Sequence, residues 1–235
     1  MHDTIASYFT YFPTRAATAW YHGKAGQGKK LEDFVAEARV FAYNEYLPAL
    51  YKGNQSTFEE KEKIAQRLSY FLGLEKEYIL LSDNRILTGR FKKELLRKEG
   101  KTIGTLDGRY LGEEGDQTAA SPTLGDPSSY GIDAAYTAAL QDYFAKTLKV
   151  KVDRPYLTSN GSIGGKWNWR PVPEGSYWEP SYVNVARNLG ESMRRNKDLK
   201  VMVANGYYDL ITPFLDAEYT FARHDIPMER VQMFY

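Results

Sequence analysis

Hydrophobic residues along the first half of the chain recur at the spacing of a helix face. From Leu31 they fall at positions 31, 34, 35, 38, 41, 42 and 46, the stripe that a long amphipathic helix buries. Pro48 lacks an N–H and its ring clashes with the preceding turn, so the pattern predicts a bend or an end near Tyr46, with Gly53 closing the region. Thr57-Phe-Glu-Glu60 has the spacing of a capping box, and Ile64, Leu68, Phe71 and Leu72 follow on one face up to Gly73. Shorter helices are expected over 15–22, 75–81 and 91–98, with Gly23 and Gly100 as their stops.

Between Thr102 and Tyr130 the periodicity dissolves among glycines and prolines, which predicts a long ordered loop with little regular structure. A helix is expected over 134–148, a weak strand over 149–155, and a loop over 161–180. Residues 182–195 then form an amphipathic helix with Val185, Leu189 and Met193 on one face. The last forty or so residues change character, because 199–204 and 231–235 are short apolar runs separated by a helical stretch over 213–224. Helix, strand, helix, strand is the signature of an α/β sheet with parallel strands. Two regions follow: a mainly helical one over 1–180 and an α/β segment over 181–235.

Composition narrows the function classes. Lys and Arg number 31 against 30 Asp and Glu, a formal charge of +1, which argues against a nucleic-acid partner or a polybasic membrane binder. The chain has no cysteine, so a disulfide scaffold, a thiolate metal site and a cysteine nucleophile are excluded within it. Met1 to Thr4 carries no basic n-region, and no apolar run approaches the length of a membrane span. Aromatic residues make up 14%, and Tyr and Trp serve cores and binding clefts alike.

Most motif-like strings fail on context. Gly23 to Lys30 nearly spells a phosphate-binding loop, but Lys30 stands where a hydroxyl should hold magnesium and the preceding residues read as helix. Gly190-Glu-Ser192-Met-Arg194 lacks the second glycine of a nucleophile elbow and lies in a regular helix. The histidines at 2, 22 and 224 have no ligand spacing, so neither a metal nor a cofactor is expected; His22 and His224 read as helix C-terminal residues. Glu113, Glu114 and Asp116 read as a solvated charge run. Asp209 is different. It lies in Gly206-Tyr-Tyr-Asp209-Leu-Ile-Thr-Pro213, just past the carboxyl end of an apolar strand, where α/β sheets gather catalytic groups. A carboxylate there either orients a histidine, as the acid of a Ser-His-Asp triad does, or makes turn and cap hydrogen bonds.

The segment Gly206-x-x-Asp209-x-x-x-Pro213 with the helix and strand after it resembles the serine carboxypeptidase family of α/β-hydrolases. Ala17 to His22, Glu45 to Leu50, Asn84 to Ile86, Gly104 to Tyr110 and Asp126 to Ser128 are similar to its bacterial branch, with Thr105 standing where arginine is expected. The resemblance implies a partial α/β-hydrolase fold with a large helical cap insertion. It also implies hydrolysis of the C-terminal residues of peptides through an acyl-enzyme, and an exported or periplasmic parent. Asp209 matches the triad acid; the nucleophile Ser and the His are expected in hydrolase segments before Met1 and after Tyr235. The chain alone is then inactive, with an uncovered strand that favours self-association. The alternative is a non-enzymatic module that grips a peptide or glycan with Trp167, Trp169, Tyr177 and Trp178, residues whose plainer role is core packing. Tyr207 and Tyr208 complete the substrate-binding candidates.

Overall fold

The computed structural model describes residues 5–154, 156–167, 185–223 and 225–235. These are mainly helical, with a few short strands in two small sheets. The chain divides into two units, one made of 1–131 with 201–220 and 231–235, the other of 132–200 with 221–230. The strands expected within 181–235 thus group with the helical first half.

The first unit begins with α1 (Ala6–Phe9) and α2 (Phe12–Tyr21). Every residue of α2 from Phe12 to Ala19 is buried. Phe12 meets the rings of Phe41, Tyr46 and Phe71 at 5.4, 5.5 and 5.4 Å between centroids. These rings come from the two amphipathic stripes. The first stripe forms α3 (Leu31–Phe41), a π turn (Ala42–Tyr46) and α4 (Leu47–Lys52). Pro48 therefore bends the helix without ending it. Opening Ala42–Tyr46 into a wide turn, in which the Leu47 N–H bonds the Ala42 carbonyl, relieves the clash that a proline imposes on the turn before it.

The second stripe forms α5 (Phe58–Leu72), entered through the expected capping box. Thr57 Oγ1 accepts from the Glu60 N–H at 3.2 Å, and Glu60 Oε2 accepts from the Thr57 N–H at 2.8 Å. Gly73 ends it in the left-handed region at φ 65°, where a Cβ would lie 2.6 Å from the Lys24 carbonyl oxygen. Next come α6 (Lys76–Leu81) and α7 (Thr88–Glu94).

The region expected to be irregular contains a hairpin. Strand β1 (Lys101–Ile103) pairs antiparallel with β2 (Leu111–Glu113), three residues each. Glu113 and Asp116 are exposed, as a solvated charge run would be, but Glu114 between them is buried and anchors the hairpin. The Lys93 ammonium lies 3.2 Å from Glu114 Oε2, with side chains 0% and 1% exposed. Glu114 also accepts from the Thr123 hydroxyl at 2.5 Å and the Thr123 N–H at 3.1 Å. A buried carboxylate needs this full set of donors, and the set ties the loop after β2 onto α7.

Helix α8 (Pro127–Asp142) leads into the second unit, which also holds α9 (Ala186–Arg195). That helix buries Ala186, Gly190 and Met193, whereas Val185, expected on the apolar face, is 64% exposed. Arg230 Nη1 donates to the Asn196 and Lys197 carbonyls at 3.0 Å each, just beyond the C-terminus of α9. The strand expected over 149–155 does not form over 149–154: Val150 and Val152 are both exposed, and no strand among the described residues pairs with them. Pro155, residues 168–184 and His224 lie outside the described residues.

Back in the first unit, β3 (Val201–Ala204) and β4 (Val231–Phe234) pair in parallel from Val201↔Val231 to Ala204↔Phe234, as the pattern predicts. Between them α10 (Phe214–Phe221) buries Phe214 and Leu215. Met202 and Phe234 are 72% and 44% exposed. That is unusual for parallel strands, which are normally covered on both faces.

Two outcomes follow. Thr57→Ala removes the cap and lowers stability by about 1 kcal/mol in a denaturant titration. Its hydrogen bonds, led by the Thr123 hydroxyl, hold Glu114 down from the usual 4.5 to about 2. The carboxylate therefore contributes fully above the ordinary value, and its contribution disappears as the pH falls toward the folded-state value. Thermal unfolding across that window should show the loss, and Glu114→Gln should flatten it while destabilising the fold by about 3–5 kcal/mol at neutral pH, because Lys93 is left unpaired.

Candidate functional site

The chain leaves β3 at Asn205-Gly206 and re-enters helix at Phe214, placing Asp209 beyond the carboxyl end of a strand paired in parallel with β4. The Asn205 N–H bonds the Phe234 carbonyl at 3.0 Å, extending the ladder by one residue, and its side-chain amide donates to the Thr212 carbonyl at 3.0 Å. The half-buried Asp209 carboxylate turns back on its own loop. Oδ1 accepts from the N–H groups of Ile211 at 2.8 Å and Thr212 at 3.0 Å, and Oδ2 accepts from the Thr212 hydroxyl at 2.6 Å. These are turn and cap hydrogen bonds, one of the two roles that spacing allowed. A carboxylate offers about four acceptor positions, so three local donors leave room on Oδ2 for one more N–H.

Distant segments hold the loop from below. The Leu210 N–H donates to the Thr105 carbonyl at 2.9 Å, the Gly108 N–H donates to the Tyr208 carbonyl at 2.8 Å, and the Tyr11 hydroxyl donates to the Ile211 carbonyl at 2.9 Å. Leu210, Phe214 and Leu215 are buried in the same core as Phe12 and Phe71. Tyr207 stacks on Tyr235 at 5.2 Å and meets the edge of Phe214 at 5.2 Å. The Tyr235 hydroxyl and Arg39 both reach Glu218 at 2.6 Å, which fixes the end of β4 against α3 and α10.

Tyr208 stands on the other side of the loop, beneath the Arg109 guanidinium at 4.9 Å and edge-on to Tyr21 at 5.5 Å. Burial, opposed by the charge of Arg109, pushes its phenol above the usual range. Asp107 clamps Arg109 in place, with Nη2 2.6 Å from Oδ2. His22, the residue that closes α2, donates from Nε2 to the Gly108 carbonyl at 2.8 Å. Its helix-terminal position was legible; the bond to a residue 86 positions away was not.

The stretch from Thr105 to Arg109 is thus the part of the site that pattern reasoning missed. Asp126 supports it, accepting from the Thr105 N–H at 2.6 Å, the Leu106 N–H at 3.3 Å and the Ser128 hydroxyl at 2.8 Å. Thr105 itself accepts from Lys92 through its hydroxyl. The only visible signal was that Gly104 to Tyr110 and Asp126 to Ser128 both carried the family resemblance.

The other candidates separate. The Ser192 hydroxyl donates to the Asn188 carbonyl inside α9. The Gly23–Lys30 turn joins two helices, with Lys29 paired to Glu37. Trp167 is 61% exposed, which departs from its core-packing role, while Trp169, Tyr177 and Trp178 lie outside the described residues. No group of His, Cys, Asp or Glu that could hold a metal occurs among the described residues. Among them, too, no helix is long and apolar enough to cross a membrane. Comparison with protein-family models, with curated proteins and with solved structures finds no match to this chain.

Removing the Asp126 carboxylate should loosen the Asp209 loop without melting the helices. Asp126→Ala is expected to speed amide exchange at Gly108 and Leu210 by about tenfold or more while protection in α5 stays unchanged, as hydrogen-exchange NMR would show.

Proposed function

We propose that this chain supplies the cap and the orienting carboxylate of a serine carboxypeptidase of the α/β-hydrolase class. One observation carries the reading: Asp209 stands at the carboxyl end of β3, and a helix links that strand to a parallel neighbour. A triad acid occupies such a place and keeps an imidazole in the tautomer that serves as general base. The acceptor position on Oδ2 that none of the described residues fills supports the same reading, since a histidine Nδ1–H needs one. The nucleophilic serine and the histidine come from polypeptide outside these residues, and the substrate is a peptide cleaved at its C-terminal residue. Tyr207 and Tyr208, flanking the acid, are the candidate substrate contacts. The exposed faces of β3 and β4, and their edges, which no strand among the described residues pairs, are where the rest of a hydrolase sheet would dock; in isolation they favour self-association.

A second reading, a module that grips a peptide or glycan through aromatic side chains, is favoured by the exposure of Trp167 alone.

The test is reconstitution. The isolated chain should not react with a fluorophosphonate probe. Joined to segments that carry an elbow serine and a Gly-His, it should hydrolyse a blocked dipeptide. In that enzyme Asp209→Asn should lower kcat by about 10⁴-fold, while Asp216→Asn, one turn into α10, changes it little. Equal and small effects of the two substitutions would reduce Asp209 to a turn residue.

A further inference from the structure

A second candidate site lies in the first unit, among α4, α5 and the turn before α7. A cavity of about 270 Å³ opens there, near the lower end of the ~300–1,000 Å³ usual for small-molecule sites. It admits an occupant of one or two amino acids. Two backbone features shape its surroundings. The π turn Ala42–Tyr46, opened ahead of Pro48, places Glu45 and Tyr46 in the cavity lining. Asp83 and Asn84 are consecutive residues in the left-handed region, at φ 53° and 60°; one such residue is a common turn, two in a row are costly. Asn84 is 6% exposed, its Nδ2 donates to the Lys61 carbonyl, and its Oδ1 has no donor among the described residues.

The charges around the cavity define what fits. Asp83 is shared by two cations, Lys61 at 2.7 Å and Arg85 at 2.6 Å, which leaves one positive charge in surplus. Lys52 and Glu60 neutralise each other at 2.5 Å. Glu45 and Lys63 also line the cavity and have no ion-pair or hydrogen-bond partner among the described residues. A plain anion meets repulsion at Glu45, and a plain cation meets the surplus at Lys61, Arg85 and Lys63. A molecule with both charges satisfies both sets. Leu50 and Ile64 give the cavity a buried aliphatic wall.

We propose that this cavity binds a zwitterionic α-amino acid or dipeptide with an aliphatic side chain, its ammonium toward Glu45 and its carboxylate toward Lys63, Lys61 and Arg85. The inference stands on the cavity and is independent of the hydrolase reading.

L-leucine titrated into the labelled chain should give saturable amide shifts around Glu45, Ile64 and Arg85. N-acetyl-L-leucine, without the ammonium, and L-leucinamide, without the carboxylate, should each bind about tenfold more weakly or worse. Glu45→Gln should abolish the preference for L-leucine over N-acetyl-L-leucine, and Lys63→Ala the preference over L-leucinamide. Neither side chain has a partner to lose among the described residues, so both variants should keep the fold. Absence of saturable shifts up to about 10 mM, equal binding of the three compounds, or an unaltered order of preference in the variants would overturn the proposal.

Discussion

Burial of α2 on every side from Phe12 to Ala19 is the constraint on which the first unit rests. A helix enclosed on every side must be covered by everything around it, and it must satisfy its own polar groups. Arg15 sits in its middle. With no carboxylate paired to it among the described residues, the guanidinium donates to the Ile86 and Ser7 carbonyls and the Thr88 hydroxyl, at 2.5, 3.0 and 2.8 Å. Burial pulls its pKa down to about 10, which leaves it charged at neutral pH. Those bonds tie α1 and the start of α7 to α2, while Phe12 gathers the rings of α3, the π turn and α5.

The same helix sets the height of the Asp209 loop. Tyr11 at its start holds Ile211, and His22 at its end holds Gly108. Between them Thr18 packs so closely beneath Gly108 that a Cβ there would lie 2.8 Å from Thr18 Cγ2. A side chain at position 108 would lift the loop that carries Tyr208 and Asp209. The acid is held to the helical body through main-chain bonds and its own buried neighbours, which leaves its carboxylate half-exposed and with capacity to spare.

Features encoded within one or two turns were legible in the sequence. The Thr57 box, the Gly73 and Gly100 stops and the pairing of 201–204 with 231–234 depend on residues whose neighbours in sequence are also their partners or carry the same period. The failures have one cause. Glu114 looks solvated beside Glu113 and Asp116 because its partners, Lys93 and Thr123, lie 21 and 9 positions away. The hairpin is too short to show alternation and depends on that anchor. The position of Asp209 was readable from Gly206 and Pro213, but its supports come from residues 11, 105 and 108, which no local pattern connects to it.

That separation fixes an order of events. The bond from Arg15 to Ile86 already closes 71 residues among the helices, and the bonds from Thr105 and Gly108 to the Asp209 loop close about a hundred, a step that carries a somewhat larger entropic cost and is expected later. Leu210, Phe214 and Leu215 therefore dock onto a core that is already assembled. Asp209 can take its place only after residues about a hundred positions downstream of Thr105 have been made, and until then the groove that receives Leu210 is open to any other apolar segment.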